Sequence, residues 1–215
     1  MMRFMKRTMR AFAKSEQGVA LIEFAYCISL LMLMLWGGIE VSRYVLIMQK
    51  LQDAASQEIN IIGTINPKSP PTAAEMLATL RAVSLMMDPY AFTFSGSNMI
   101  IVTDIAASIS TVPANPIVQW RYCSPALSGS STLSKFGAVG AKANLSGFPG
   151  FSMAAGDEII VTEVYYQFSP IIKNAITTTI LPASKPVYVE SLGVPRFGSL
   201  ATMIGPSGAF PSNCP

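Results

Sequence analysis

The side chains that could do chemistry in this chain are few, and the first constraint is an absence: its 215 residues include no histidine. That removes serine–histidine–aspartate and cysteine–histidine nucleophile pairs, imidazole metal sites and the usual general base near neutral pH. A serine–lysine pair is the histidine-free nucleophile left to test, and Ser131 stands four residues before Lys135. The spacing is not Ser-x-x-Lys, and the pair sits in a loop with no sign of an oxyanion hole. Asp157, Glu158 and Glu163 suggest paired carboxylates, yet adjacent acids at the start of a strand read as a solvated edge. No phosphate-binding glycine loop, calcium loop or metal cluster is present in the pattern, so the expectation is a non-enzyme without a cofactor.

One further spacing is more informative. Gly18 directly precedes an apolar stretch and stands five residues before Glu23, in Gly18-Val19-Ala20-Leu21-Ile22-Glu23. An ionised carboxylate at the centre of a membrane helix costs roughly 2.5–3.5 kcal/mol on insertion scales, so Glu23 needs compensation. It can snorkel to the headgroups or carry a proton. Alternatively, cleavage after Gly18 would expose a positive α-amino group on Val19, able to pair with a Glu23, most usefully one on a neighbouring subunit. Such a pair fixes axial register while removing the cost of an unpaired charge.

The element that must position these residues is a membrane span. From Val19 to Ile39 there are twenty-one residues with a single charge, Glu23, and roughly 20 apolar residues suffice for a helix to cross the hydrocarbon core. A secretory signal has a shorter apolar core ending in small residues, whereas this one runs into Trp36-Gly37-Gly38-Ile39-Glu40 and reads as a retained anchor. Five cations (Arg3, Lys6, Arg7, Arg10, Lys14) and one acid (Glu16) give residues 1–18 a charge of +4, leaving −1 for the rest of a chain whose net charge is +3. The positive-inside rule then puts the leader in the cytoplasm and the remainder outside. With no basic surface beyond the leader, a nucleic-acid partner is not expected. Composition agrees with one greasy segment plus one globular domain: 51% of residues are hydrophobic, 13% are charged and mean hydropathy is +0.43.

Beyond Glu40, Tyr44, Met48, Leu51, Ala55, Ile59 and Ile62 recur every three or four residues, the stripe of an amphipathic helix, and Gly63 offers a stop. A helix unbroken from Val19 to Ile62 reaches about 66 Å and projects a stalk, with Gly37-Gly38 as the place for a kink. The stripe suits packing on this chain's own domain, on other subunits, or both. Asn66 to Pro71 is a connector; Thr72 with Glu75 forms a capping box for a second helix over Ala73, Met76, Leu77, Leu80, Val83 and Met87, ending before Pro89. Strands follow at Met99–Thr103, over Val118, Trp120 and Tyr122 alternating with Gln119 and Arg121, at Glu158–Phe168, and at Val187–Glu190 after a turn over Pro182–Pro186. Both faces of Glu158–Phe168 are apolar, which makes it a central strand covered on each side. Residues 124–150 read as a long loop, and between Ile171 and Leu181 helix and strand compete. The fold class is α+β, an antiparallel sheet packed on helix, with residues 1–18 a leader, 19–63 the membrane and extended helix, and 64–215 an extracytoplasmic domain.

In an oxidising compartment Cys123 and Cys214 are the natural disulfide pair, whereas Cys27 inside the span reads as a small apolar side chain. Closing a loop of that size is worth about 4–5 kcal/mol at most in the entropic account.

The run from Gly18 through Gln57 resembles the N-terminal region of the TadE-like minor pilins, or pseudopilins, of tight adherence (Tad/Flp) pilus systems. Gly18, Glu23-Phe24-Ala25, the long aliphatic stretch, and Gly38-Ile39-Glu40 followed by Arg43 carry the resemblance. Ser29 stands where many members have proline and Ser42 where many have glycine. Downstream, Gln119-Trp120-Arg121-Tyr122-Cys123, the strand from Val161 into Ser169-Pro170, and Pro195-Arg196 are similar to later elements of the family. The resemblance implies a precursor cut between Gly18 and Val19 by a prepilin peptidase, a role for Glu23 and Phe24 in processing or assembly, and partners among minor and major pilins and the pilus assembly platform. It implies an inner-membrane protein with its C-terminal domain in the periplasm, serving pilus assembly and adhesion. The alternative is a single-pass protein, never cleaved, whose periplasmic domain binds a ligand.

Overall fold

The computed structural model describes residues 16–66, 73–86, 98–108, 115–123, 134–171 and 185–200. Helix α1 runs from Glu16 to Gly63 without interruption, through Gly37 and Gly38, which have open space around them. The two glycines cost about 0.8–1.0 kcal/mol each against alanine, less than a break would cost in unpaired backbone within an apolar surrounding. At the far end the last turn tightens: Thr64 N donates to the Ile61 carbonyl at 3.1 Å and Ile65 N to that of Ile62 at 3.0 Å. Those bonds satisfy carbonyls that the ended helix leaves open. Helix α2, Ala73–Met86, packs beside α1 and runs antiparallel to it, since Thr79 meets Glu58 while Lys50 reaches the carbonyl of Met86. The Thr72 cap lies outside the described residues.

Four strands, β1 (Met99–Ala107), β2 (Pro116–Cys123), β3 (Glu158–Phe168) and β4 (Lys185–Gly193), form one antiparallel sheet in the order β2-β1-β3-β4. The fold is therefore α+β, an antiparallel sheet on helix. Helix α1 and α2 cover one face: Ile47, Leu51, Ala54, Ala55 and Ile62 with Met76, Leu80 and Val83 close over Ile100, Val102, Trp120, Tyr122, Ile160, Val164, Tyr166 and Phe168. The stripe beyond Glu40 is thus packed on this chain's own sheet, and that part of α1 is not a bare stalk. On the other face Phe136, Ala143 and Met153 cover Ile105, Val118, Ile159 and Val161. The described part of the 124–150 loop, irregular in backbone, together with the following residues to Met153, supplies that cover. β3 has partners on both edges and apolar layers on both faces, as its two apolar faces require.

Two strand details depart from the alternation. Val118 does not share a face with Trp120 and Tyr122: the register of β1 with β2 shifts between Asp104 and Ile105, which pair with Trp120 and Val118. Gln119 is the extra residue, and a bulge of this kind moves the residues on one side of it to the opposite face. Strand β4 begins at Lys185, earlier than the expected turn allows, because Pro186 pairs with Gln167 on an edge strand, where a missing N–H leaves no ladder bond broken within the sheet. The 172–181 segment lies outside the described residues.

Helix and sheet approach closely at one point. A Cβ added to Gly193 would stand 1.9 Å from Cγ2 of Ile59, so only glycine allows β4 to end against α1. Beyond it Arg196 N donates to the Gly63 carbonyl at 2.8 Å, tying the chain after β4 to the end of α1.

Candidate functional site

The first half of α1 carries every residue singled out for processing and assembly. Gly18, Val19, Glu23 and Phe24 lie in its first turns, and Val19, Glu23 and Phe24 are exposed. Val19 and Glu23 are four residues apart, so they lie on one face of the helix and about 6 Å apart along its axis. Glu23 makes no ion pair with any described residue. From Val19 to Ile39 the side chains are exposed throughout, and the most apolar window of the helix has none of its residues buried. One helix of the described chain is thus long and apolar enough to cross a membrane. Its aliphatic side chains are bare on all sides, the condition of a helix whose solvent is lipid or other apolar helices. Cys27 lies in this stretch as an exposed free thiol. Ser29 retains the backbone N–H that a proline would lack, and its hydroxyl donates to the carbonyl of Ala25 at 2.7 Å.

The run of exposed side chains is first broken at Glu40, which is 2% exposed. Its Oε1 accepts the backbone N–H of Ile171 at 2.7 Å and its Oε2 the guanidinium of Arg43 at 3.3 Å. The Arg43 guanidinium lies 5.9 Å from the ring centre of Phe168, and Tyr44 meets the same ring edge-on at 5.3 Å. Two sequence elements far apart in the chain, Gly38-Ile39-Glu40 with Arg43 and the strand end Phe168-Ser169-Pro170, therefore meet and form one joint. The buried carboxylate is satisfied twice, by a backbone N–H and by a cation, as burial of a charge requires.

The sheet holds other buried acids that the sequence reading passed over or misread. Glu163 is not a solvated edge: it lies fully buried on β3, facing away from α1. Its Oε1 accepts the backbone N–H of Lys135 at 3.1 Å and the Tyr165 hydroxyl at 3.1 Å, while the Tyr188 hydroxyl lies within reach of it at 3.2 Å and of Glu190. Burial, with the carboxylates beside them, pushes both tyrosine hydroxyls above their ordinary pKa. Lys135 places its ammonium 3.2 Å from the centre of the Tyr188 ring, and Ser131 lies outside the described residues. Arg121 is buried on the same face, donating to Thr103 Oγ1 at 3.2 Å and to the Gly137 carbonyl. Burial lowers its pKa and the charge of Glu163 opposes that change. The cluster ties the covering loop to the sheet. Trp120, next to Arg121, donates its indole N–H to the Leu200 carbonyl at 3.1 Å, fastening the chain after β4.

Two acids lie toward the helices. Asp104 is fully buried on β1; burial first, then the neighbouring Glu158 carboxyl, pushes it up to about 9. Glu58 of α1 is buried against α2 and pushed up to about 7 by burial, with the Thr79 hydroxyl 3.5 Å from its Oε1 acting in the opposite direction. A lone acid among regularly spaced apolar residues was the signal for both, and it is a weak one because surface acids interrupt such patterns equally often. Cys123 is buried at the end of β2, away from the α1 residues, and Cys214 lies outside the described residues. Among the described residues no group of three or more acids, cysteines or histidines could hold a metal.

Residues 18–57 match the model of the family described as TadE-like protein. The match opens on Gly18, includes the bare half of α1 and the Glu40–Arg43 joint, and ends in the part of α1 that packs on the sheet. No curated protein and no solved structure matches the chain.

Proposed function

We propose that this protein, whose TadE-like segment relates it to the Tad pilus system, is a minor pilin or pseudopilin of that system. It is made as a precursor with a basic leader, cut between Gly18 and Val19 by a prepilin peptidase, and held in the inner membrane by the first half of α1 with the sheet domain in the periplasm. It then enters the pilus, where it serves assembly and surface adhesion, beside other minor and major pilins delivered through the assembly platform. The observation that carries the reading is a coincidence of three boundaries. The family match, the bare apolar half of α1 and the glycine five residues before an unpaired carboxylate all begin within two residues of one another.

The residues divide the work between them. Gly18 supplies a cut site with no side chain to obstruct the peptidase. Val19 then carries a new ammonium, and Glu23 of a neighbouring subunit accepts it. The pair stabilises assembly because an acid that stays unpaired in lipid costs roughly 2.5–3.5 kcal/mol, and it sets the axial stagger between subunits. Phe24 and the aliphatic side chains around it supply the surrounding packing, which in lipid depends on close van der Waals contact. Cys123 and Cys214 form a disulfide that pins the C-terminus to the end of β2; burial of Cys123 and the periplasmic setting support it.

The test is the intact mass and first residue of the protein taken from its native membrane. A first residue of Val19 supports the reading, and a retained leader in a strain with normal pili overturns it in favour of an uncleaved, membrane-anchored binding protein. Glu23→Val is expected to insert normally and to abolish piliation. Both thiols alkylating in the unreduced, denatured protein would exclude the bridge.

A further inference from the structure

The Glu40 joint fixes more than the packing of β3. Glu40 is the residue immediately after the apolar stretch ending at Ile39, and it holds the backbone of Ile171 at 2.7 Å. The end of β3 is therefore fastened to α1 at the level where the span ends. Strand directions follow from that fastening. Phe168 meets Arg43 and Tyr44, whereas Gly193 meets Ile59 and Arg196 meets Gly63, so β3 runs back toward the membrane and β4 away from it. The register then puts the end of β3, the start of β4, the start of β1 and the end of β2 at one end of the sheet.

At that end Ile171 exposes 65% of its surface, and Ile39 and Val41, which flank its partner Glu40 in α1, are exposed as well. The interfacial layer outside the hydrocarbon core is about 5–7 Å thick on each side. Within a hydrogen bond of residue 40, Ile171 has no room to stand clear of it. We propose that the β3 end is a lipid-contacting rim: Ile171, with Ile39 and Val41, enters the headgroup–acyl boundary, so that the sheet domain rests on the bilayer as well as being tethered to it. The inference rests on the reading that the first half of α1 spans a membrane. Lipid is the occupant because the Glu40 bond holds Ile171 at the level where the exposed apolar stretch ends. Of the other exposed apolar residues, Val194 and Phe197 lie near Gly63, twenty-three residues of helix, about 35 Å, above the joint. Glu40 is the positioning residue that sets the depth, holding a backbone N–H that would otherwise have to be desolvated unpaired.

The experiment uses the full chain in phosphatidylethanolamine–phosphatidylglycerol vesicles, with p-benzoylphenylalanine replacing one residue at a time at positions 31, 41, 171, 194 and 197, followed by irradiation and mass spectrometry of the adducts. Positions 31, 41 and 171 are expected to give phospholipid adducts several-fold more abundant than positions 194 and 197. Adducts at position 31 with none above background at 171 would overturn the rim and leave the span intact. Adducts to protein alone at 171 would also overturn it. No lipid adduct at position 31 would overturn the span, and the rim with it. Thermal unfolding of each substituted protein, unchanged from the parent, confirms that the probe reports on the folded chain; Glu40→Gln, which weakens the hold on Ile171, is expected to lower the lipid adduct at 171 and leave that at 31 unchanged.

Discussion

The two halves of α1 are one helix with two kinds of surface. Between Val19 and Ile39 nearly every side chain is aliphatic or aromatic and all are exposed; beyond Glu40, Ile47, Leu51, Ala55 and Ile62 are fully buried while Gln49, Gln52, Asp53 and Gln57 point outward. The first half has no polar face, the composition of a helix that lipid or neighbouring apolar helices would surround. The second half has an apolar stripe of three to four positions per two turns because a single sheet covers it from one side. What distinguishes them is the arrangement of apolar residues around the axis more than their number. The change takes place at a buried charge, where Glu40 is bonded to Ile171 and Arg43.

The difference makes the same substitution unequal in the two halves. Leu51→Ala removes a fully buried side chain between α1 and the sheet. It is expected to destabilise the sheet domain by about 2–5 kcal/mol, the range for cavities left by large-to-small changes in a core. Chemical denaturation of the detergent-solubilised protein, followed through the tryptophan and tyrosine signals of the sheet, measures it. A loss well under 1 kcal/mol would mean that α1 does not stabilise the sheet and that the packing of its second half is incidental.

A pH titration sharpens the comparison, because the packed half of α1 contains an acid whose proton the fold holds more tightly than the unfolded chain does. Glu58 has an ordinary pKa of 4.5 and is pushed up to about 7 by burial. Between those values the unfolded chain has lost the proton and the folded chain still holds it. Stability is therefore highest below about pH 4.5, falls as pH rises, and levels off above about 7 as far as this group is concerned. A tenfold difference in proton affinity between the folded and unfolded chains corresponds to about 1.4 kcal/mol, so the fall amounts to about 3 kcal/mol. Asp104, pushed up to about 9, extends the decline further. Glu58→Gln keeps the hydrogen bond to Thr79 and removes the titration; it is expected to flatten the slope between about pH 4.5 and 7 and to be the more stable protein at pH 8. An unchanged slope would mean that Glu58 ionises in contact with water.

Much of the architecture was legible because it follows from period and composition. The twenty-one-residue apolar stretch, the stripe after Glu40, the second helix and the β3 strand with two apolar faces each need only the spacing of apolar residues. The placement of Gly18 and Glu23 at the start of the apolar helix was legible for the same reason. What escaped depends on partners distant in sequence. Nothing local to Glu163 says that Lys135, Tyr165 and Tyr188 converge on it, and a strand acid without known partners reads as solvated. Val118 kept its alternation in the sequence and lost it in the sheet, because a bulge is set by pairing with β1 and not by β2 alone. Glu40 was visible as a motif residue; its bond to Ile171, 131 positions away, was not.

Gly193→Ala tests how closely the packed half of α1 sits on the sheet. The new methyl group would overlap Cγ2 of Ile59 at 1.9 Å, and a β-branched side chain has little freedom to turn away. Overpacking of this kind costs about 1–3 kcal/mol. Ile59→Ala removes the offending atom, so the double substitution is expected to be less destabilising than the sum of the two single ones. Simple additivity in denaturation measurements would show that β4 and α1 can separate there at no cost.

The smallest effect is the most informative about the first half. Leu31→Ala truncates a side chain as large as that of Leu51, within the same helix and at an equally apolar position, but Leu31 is exposed and touches no part of the sheet domain. Its removal leaves no cavity in that core, and alanine is at least as good a helix former as leucine. Domain stability in detergent is therefore expected to stay within about 0.5 kcal/mol of the parent, the usual range for substitutions away from packed features. Any cost should surface only where other helices surround this half, as weaker association in a membrane or a filament, since there close contact between side chains replaces the hydrophobic effect as the source of stability. A large loss of domain stability in the isolated chain would instead mean that the bare half folds back onto the domain in solution, and the division of α1 into a bare and a packed half would then fail.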